Sequence, residues 1–70
     1  MGYIEARELA RIRHELRDRL LNQRCDGADE VLGRLSDIAD HYAATSPELR
    51  GEYERWRTRF ALLAPAPVAA

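Results

Sequence analysis

The sequence predicts an all-α fold, a small three-helix bundle in which a long first helix packs against an antiparallel pair of helices. Apolar residues recur with a helical period in three segments, glycine or proline separates those segments, and β-branched residues are too few for a sheet. We expect the helices to span residues 3–24, 28–44 and 47–63 of a single helical domain at residues 1–64, with a flexible alanine- and proline-rich tail at residues 65–70.

The first predicted helix has an apolar stripe with spacings of three, four and four residues, formed by Leu9, Ile12, Leu16 and Leu20. The segment Cys25-Asp26-Gly27 follows it, and Gly27 is suited to a left-handed cap at the end of the helix. A helix reaching residue 24 is long for a chain of 70 residues.

The second predicted helix starts after Asp26, which we expect to be its N-cap, and carries Asp29 and Glu30 in its first turn, where the helix dipole favours negative charge. Gly33 lowers the helix propensity and would permit close approach of a neighbouring helix. The apolar stripe comprises Ala28, Val31, Leu32, Leu35, Ile38, Ala39 and Tyr42.

The third predicted helix has two possible start signals, Ser46 as N-cap with Pro47 in the first turn, or a capping box from Thr45 to Glu48. Its apolar seam repeats every four and three residues and holds three of the five aromatic residues. The seam comprises Leu49, Tyr53, Trp56, Phe60 and Leu63. Trp56 is either a core residue or, together with Tyr53 and Phe60, an anchor in the groove of a partner.

These stripes define a predicted hydrophobic core. It comprises Leu9, Ile12, Leu16, Leu20, Val31, Leu32, Leu35, Ile38, Tyr42, Leu49, Tyr53, Trp56 and Phe60. A chain of 70 residues hides only about 60% of its unfolded surface when it folds alone. We therefore expect association, either dimerisation or binding of a partner, to complete the core.

The charge composition argues against nucleic-acid and membrane binding. Eleven basic residues face twelve acidic ones, and the net charge is −1. All the basic residues are arginine, which indicates a high-GC bacterium or its phage as the source. The N-terminal segment has no apolar stretch suited to a signal peptide or membrane span, so we expect a cytoplasmic protein.

Charge is distributed unevenly among the three segments. Residues 1–25 carry six arginines and four acids, residues 26–45 carry one arginine and five acids, and residues 46–64 carry four arginines and three acids. This pattern predicts that the acidic second helix lies between two mildly basic ones, with ion pairs that set its orientation.

A second stripe on the first helix is the predicted partner-binding site. On a helical wheel it lies away from the main stripe and mixes apolar side chains with arginine and histidine. It comprises Tyr3, Arg7, Ala10, His14, Arg17 and Leu21. One interpretation is that Tyr3 packs over a helix end and Leu21 broadens the core; the other is an interface with a second copy or another protein, for which arginine and tyrosine are favoured residues.

The sequence contains no convincing catalytic, cofactor or metal site. His14 and His41 are the only histidines, and an Asp37–His41 pair at i, i+4 is ordinary surface chemistry. The single cysteine, Cys25, has no partner at metal-ligand spacing. We therefore predict that the protein is not an enzyme and has no small-molecule substrate, cofactor or metal.

By elimination, we predict a protein-binding module, acting as an adaptor, inhibitor or chaperone-like regulator. Its partner is another protein, a second copy of the chain, or both. The alternative is a small helix-turn-helix-type regulator that binds nucleic acid, because a short turn precedes the arginine-bearing third helix. Glutamates alternate with those arginines, which makes this alternative the weaker one.

Overall fold

The computed structural model of the protein describes residues 3–63, which form three α-helices and no strand. They are α1 (Tyr3–Leu21), α2 (Ala28–His41) and α3 (Glu48–Leu63). The predicted all-α three-helix fold is confirmed, although α1 and α2 each end three residues before the predicted boundary. The predicted tail at residues 65–70 lies outside the described residues.

Backbone hydrogen bonds in the Schellman pattern set the end of α1. The Gln23 N–H donates to the Leu20 carbonyl (3.1 Å), and the Arg24 N–H donates to the Arg19 carbonyl (2.8 Å). Gln23 adopts the left-handed backbone conformation, with φ of 54°, that this pattern needs just after the helix. The prediction that Gly27 caps α1 is therefore wrong, because the chain leaves the helix earlier, at a residue whose type gives no signal of positive φ.

Gly27 is instead the N-cap of α2, with φ of 77°. The prediction of Asp26 in that role is wrong, since its carboxylate turns back to Arg24 (Oδ2 to Nη2, 3.3 Å), a hydrogen bond that lowers the pKa of Asp26. A Cβ atom at position 27 would lie 3.3 Å from Nη2 of Arg19. The Arg19 Nε in turn donates to the Asp26 carbonyl at 3.3 Å. Both the positive φ and this contact favour glycine at the start of α2.

A tight turn joins α2 to α3. The Tyr42 carbonyl accepts hydrogen bonds from the N–H groups of Thr45 (3.2 Å) and Ser46 (2.7 Å), and this closure ends α2 before its predicted boundary. The Ser46 carbonyl accepts the first bond of the next helix, from the Leu49 N–H at 3.1 Å. Of the two predicted start signals, this geometry favours Ser46 as N-cap with Pro47 in the first turn.

The central helix of the bundle is α2, which packs extensively against both α1 and α3, whereas α1 and α3 contact each other much less. Short connections make α2 antiparallel to both neighbours. The carboxyl ends of α1 and α3 consequently lie side by side, and Leu20 and Leu21 of α1 line a common cavity with Leu62 and Leu63 of α3.

The core forms where α2 faces its two neighbours. The buried residues are Leu9, Ile12, Leu16, Ala28, Val31, Leu32, Leu35, Ala39, Leu49 and Phe60. Eight of these belong to the predicted core, and the two alanines complete it. The other five predicted core residues are only partly buried and pack against the edge of the core: Leu20, Ile38, Tyr42, Tyr53 and Trp56. Tyr53 and Trp56 stay half-buried because α1 covers so little of α3.

Gly33 does not mark a close approach between helices. It is exposed on α2, and a Cβ atom at this position would meet nothing within 4 Å. The predicted packing role is therefore wrong, because residue 33 faces solvent while the core stripe faces the other way.

The ion pairs follow the charge prediction only in part. Arg50 of α3 pairs with Asp40 of α2, as the acidic central helix predicts. Between α1 and α2 the charges are the reverse of those predicted, because the arginine is on α2 and the carboxylates are on α1. Arg34 of α2 lies 3.6 Å from Glu8 and 3.3 Å from Glu15 of α1. The central position of α2 is thus confirmed, but apolar packing as well as charge holds it there.

Candidate functional site

The predicted stripe on α1 lies on the solvent side of the bundle. Arg7, Ala10, His14, Arg17 and Leu21 are all exposed. Tyr3 is the first residue of α1, and its side chain lies outside the described part of the chain. The five described side chains are therefore accessible, and they do not form part of the core.

The carboxyl-terminal end of this stripe meets an exposed apolar surface on α3. Leu21 and Leu62 are the exposed large hydrophobic residues of the described chain, with exposed fractions of 77% and 82%. Half-buried Leu20 and Leu63 lie beside them, and the four side chains, which we call the leucine patch, line a shallow cavity of about 430 Å³. Arg59 and Gln23 also line this cavity.

A polar cluster fixes α1 against α3 two to three helical turns before this patch along the two helices. Arg13 of α1 donates two hydrogen bonds of 2.7 Å, from Nε and Nη2, to the carboxylate of Glu52 on α3. The Trp56 indole Nε1 donates to Oε2 of Glu52 at 3.2 Å. The hydrogen bond from Arg13 holds the pKa of Glu52 below its ordinary value, and the bond from Trp56 acts in the same direction.

Arg59 connects the polar cluster to the leucine patch. Its guanidinium carbon lies 5.4 Å from the centroid of the Trp56 ring, within cation–π range, and the same residue lines the leucine cavity. Trp56 is half-buried, packs against the edge of the core and has Arg59 over its ring. Its predicted role as an anchor in a partner's groove stays a prediction. We call the surface from Arg13 and Glu52 to the leucine patch the α1–α3 groove.

The exposed charges differ between the two sides of the bundle. Arg11, Arg17, Arg55 and Arg59 are exposed and form no ion pair among the described residues. The exposed side of α2 is acidic and carries Asp29, Glu30, Asp37 and Asp40. Exposed carboxylates also occur on α1 and α3, at Asp18, Glu48 and Glu54, but exposed arginines outnumber them there, so this side of the molecule is the more basic one.

Sequence analysis considered Arg55 and Arg59 only as arginines of a nucleic-acid-binding helix, and it missed Leu62. Leu62 does not belong to the apolar seam of α3, and this position on the helix could have predicted its exposure from the sequence. Its proximity to Leu21 carries no sequence signal, because the pairing depends on how two helices far apart in the chain come to lie side by side.

The histidines and the cysteine lie apart from the groove. The ring of His41 packs edge-on against Tyr42, with centroids 4.7 Å apart, and His14 is exposed on α1. Cys25 is a half-buried free thiol beside Phe60. Among the residues described, no three histidine, cysteine, aspartate or glutamate side chains gather closely enough to hold a metal ion.

Comparison of the chain with known protein families, curated proteins and solved structures gives no match. Within residues 3–63, no helix has both the length and the apolar character needed to cross a bilayer. The function is therefore inferred from the chemistry of the surface itself.

Proposed function

We propose that the protein is a non-enzymatic protein-binding module that presents the α1–α3 groove to a partner. The observation that carries this proposal is the adjacent exposure of Leu21 and Leu62 on two different helices. Burying two such side chains on association would supply about 3–6 kcal/mol before the costs of binding. A folded chain that leaves both leucines in water gains this free energy only when another surface covers them.

The proposed site keeps part of the predicted stripe and moves its centre. Leu21 belongs to both surfaces, and Arg17 lies one helical turn before it on α1. Leu62 and Arg59 of α3 replace the amino-terminal half of the stripe. The arginines suit an interface because a guanidinium combines a fixed charge with a flat surface that stacks on aromatic rings. Within the cell we place this activity in the cytoplasm of a bacterium or its phage, as an adaptor, inhibitor or chaperone-like regulator.

The nucleic-acid alternative is less well supported. A recognition helix in α3 would use its four arginines, but Arg50 pairs with Asp40 and Arg57 lies 3.8 Å from Glu54. Two arginines, Arg55 and Arg59, are left to contact phosphates, and exposed leucines beside them contribute nothing to that contact. A mobility shift at low salt that disappears in Arg55→Glu with Arg59→Glu would favour nucleic acid over protein.

The experiment that tests the proposed function compares affinity capture by three versions of the full chain in the source cell. The test variant is Leu21→Ser with Leu62→Ser, and the matched control is Ala43→Ser with Ala44→Ser, at two exposed positions of the turn between α2 and α3. We expect the wild type and the control to retain a shared partner that the test variant loses, while circular dichroism shows equal helicity. Capture of the same proteins by all three versions would contradict the proposal.

Light scattering on the purified chain distinguishes the two kinds of protein partner. A monomeric mass for the wild type supports a different protein as the partner. A dimeric mass that Leu21→Glu converts to a monomeric one identifies the partner as a second copy, which remains within the proposed function.

A further inference from the structure

We propose that the partner element bound in the α1–α3 groove is an acidic amphipathic helix whose apolar stripe covers the leucine patch. This inference rests on the proposed function and adds the chemistry of the partner. It follows from the spacing of the exposed arginines, from the burial state of the leucines and from the charge of the remaining surface.

The exposed arginines line the approach to the leucine patch at helical spacing. On α1, Arg17 precedes Leu21 by one turn, and on α3, Arg55 and Arg59 precede Leu62 by about two turns and one turn. Each arginine is exposed and none forms an ion pair within 4.0 Å among the described residues. Carboxylates on a partner would find guanidinium groups here that are not already neutralised.

The one carboxylate inside the groove does not oppose an acidic partner. Glu52 accepts both hydrogen bonds from Arg13 and a third from Trp56. Its charge is therefore compensated. Two exposed carboxylates, Asp18 and Glu54, also lie among the arginines around the groove, and Glu54 pairs with Arg57. The arginines of this region (Arg13, Arg17, Arg55, Arg57 and Arg59) outnumber its three carboxylates, so the surface flanking the leucine patch is positive. Association of an acidic helix would be accelerated by this field and weakened by salt.

A helix matches the apolar part of the groove better than an extended strand or a nucleic acid does. The leucine patch draws residues from α1 and α3, so it forms a shallow, open depression of about 430 Å³ where the ends of the two helices lie side by side. A partner helix would cover such a surface with apolar residues at i, i+3 or i+4 and i+7. Phosphate groups would pair with the arginines but leave Leu21 and Leu62 exposed to water.

The described residues of a second copy of this chain do not supply both required features. Its acidic surface is α2, where Asp29, Glu30 and Asp37 are exposed, but the large exposed hydrophobic residues of the described chain are Leu21 and Leu62. Pairing two copies through the groove would bury leucine against leucine and bring Arg59 and Arg17 toward their own equivalents. The charge therefore favours a different chain.

The experiment measures binding of labelled peptides of about 20 residues to the full-length chain by fluorescence anisotropy. One peptide carries leucine at i, i+4, i+7 and i+11 with glutamate at the flanking positions, and the other replaces each glutamate with lysine. We expect the acidic peptide to bind at least ~10-fold more tightly than the basic one, with the preference falling as salt rises.

Two variants and one control locate the binding to the groove. Arg17→Glu with Arg59→Glu should reverse the preference between the two peptides, and Leu62→Ser should weaken binding of the acidic peptide about tenfold. The control Arg11→Glu makes the same kind of charge change on α1 at an exposed residue outside the groove and should leave the preference intact.

Several outcomes would overturn the inference. They are equal affinity for the two peptides, a preference that Arg17→Glu with Arg59→Glu does not change, tighter binding of a double-stranded oligonucleotide than of the acidic peptide, or a dimer dispersed by Leu62→Ser. If a captured native partner is lost on Leu21→Ser with Leu62→Ser but bound normally by the arginine variant, the proposed function stands and this inference fails. If that partner is retained by both variants, the proposed function itself fails.

Discussion

At the scale of single residues, Glu52 is the side chain that joins the two helices with the least mutual packing. It accepts two hydrogen bonds from Arg13 of α1 and one from Trp56 of its own helix. The Glu52 side chain is only 16% exposed, so its charge is better shielded from water than that of a typical surface pair. The Glu52 carboxylate thereby holds α1 and α3 together and fixes the orientation of Trp56, whose ring contacts Arg59.

The shifted pKa of Glu52 makes its contribution dependent on pH. Because the pKa of the folded state is lowered from 4.5, the stabilisation is fully present above that value and is lost as pH falls through the folded-state pKa. We expect Glu52→Gln to reduce the free energy of unfolding by about 1 kcal/mol at neutral pH. Denaturant titrations should show this difference shrinking once the pH falls below 4.5.

The matched control is Glu54→Gln, which removes a neighbouring exposed carboxylate whose contact with Arg57 is longer, at 3.8 Å. It should change stability less than Glu52→Gln does at neutral pH. An equal or larger loss of unfolding free energy in the control would mean that the hydrogen bonds of Glu52 with Arg13 and Trp56 do not stabilise the fold.

At the scale of secondary structure, α2 is the central helix of the bundle although one glycine caps its start and another lies in its middle. It supplies five of the buried residues, yet its first residue depends on the left-handed Gly27 and its middle contains the exposed Gly33. The two glycines have opposite roles. Gly27 meets a backbone requirement, while Gly33 only makes the unfolded chain more flexible and the helix less favourable.

The same substitution should therefore have opposite effects at the two glycines of α2. Gly33→Ala should raise the free energy of unfolding by roughly 0.5–1 kcal/mol, because a Cβ atom meets open space and alanine favours the helix. Gly27→Ala should lower it, since φ of 77° strains any residue with a Cβ atom and Arg19 lies 3.3 Å away. Thermal unfolding monitored by circular dichroism compares the two, and destabilisation by Gly33→Ala would show that residue 33 is packed.

At the scale of the whole molecule, stability depends on one layer of contacts on either side of α2. A chain of 70 residues buries a small core, so few interactions are redundant. Leu35 lies on the central helix and is completely buried, whereas Leu62 is 82% exposed at the end of α3. These two leucines separate the residues that hold the fold from those available to a partner.

We expect Leu35→Ala to lower the free energy of unfolding by about 2–5 kcal/mol, enough to unfold much of the population in a domain of this size. The same substitution at Leu62 should change it by no more than about 0.5 kcal/mol. Denaturant titrations provide both values. A large loss in Leu62→Ala would mean that the leucine patch is part of the core and would also count against the proposed binding site.

Much of the fold was predictable because helical periodicity and capping are local properties. The stripe of Leu9, Ile12 and Leu16 indicated which face of α1 is buried, and Ser46 with Pro47 indicated where α3 begins. The ends of α1 and α2 were predicted less well. Glutamine does not indicate a positive φ, so the sequence gives no sign of the Schellman turn at Gln23. The hydrogen bonds and packing around Gln23 offset the free-energy cost of its left-handed conformation.

The candidate site was predictable only in part. Exposure of Arg17 and Leu21 follows from their position on a helical wheel, so the sequence placed them on an accessible face. Trp56 was expected in the core but is half-buried, because the limited contact between α1 and α3 leaves one side of its ring available to Arg59.

By itself, the sequence determined three amphipathic helices, the composition of the buried face of each and the arginine-only basic character of the surface, because these depend on residue type and spacing within a turn or two. The tertiary structure alone decided that Arg13 reaches Glu52 and that Leu21 meets Leu62 at one end of the bundle. Those pairings join residues 39 and 41 positions apart in the chain. Such contacts depend on how whole helices pack, which no local pattern specifies.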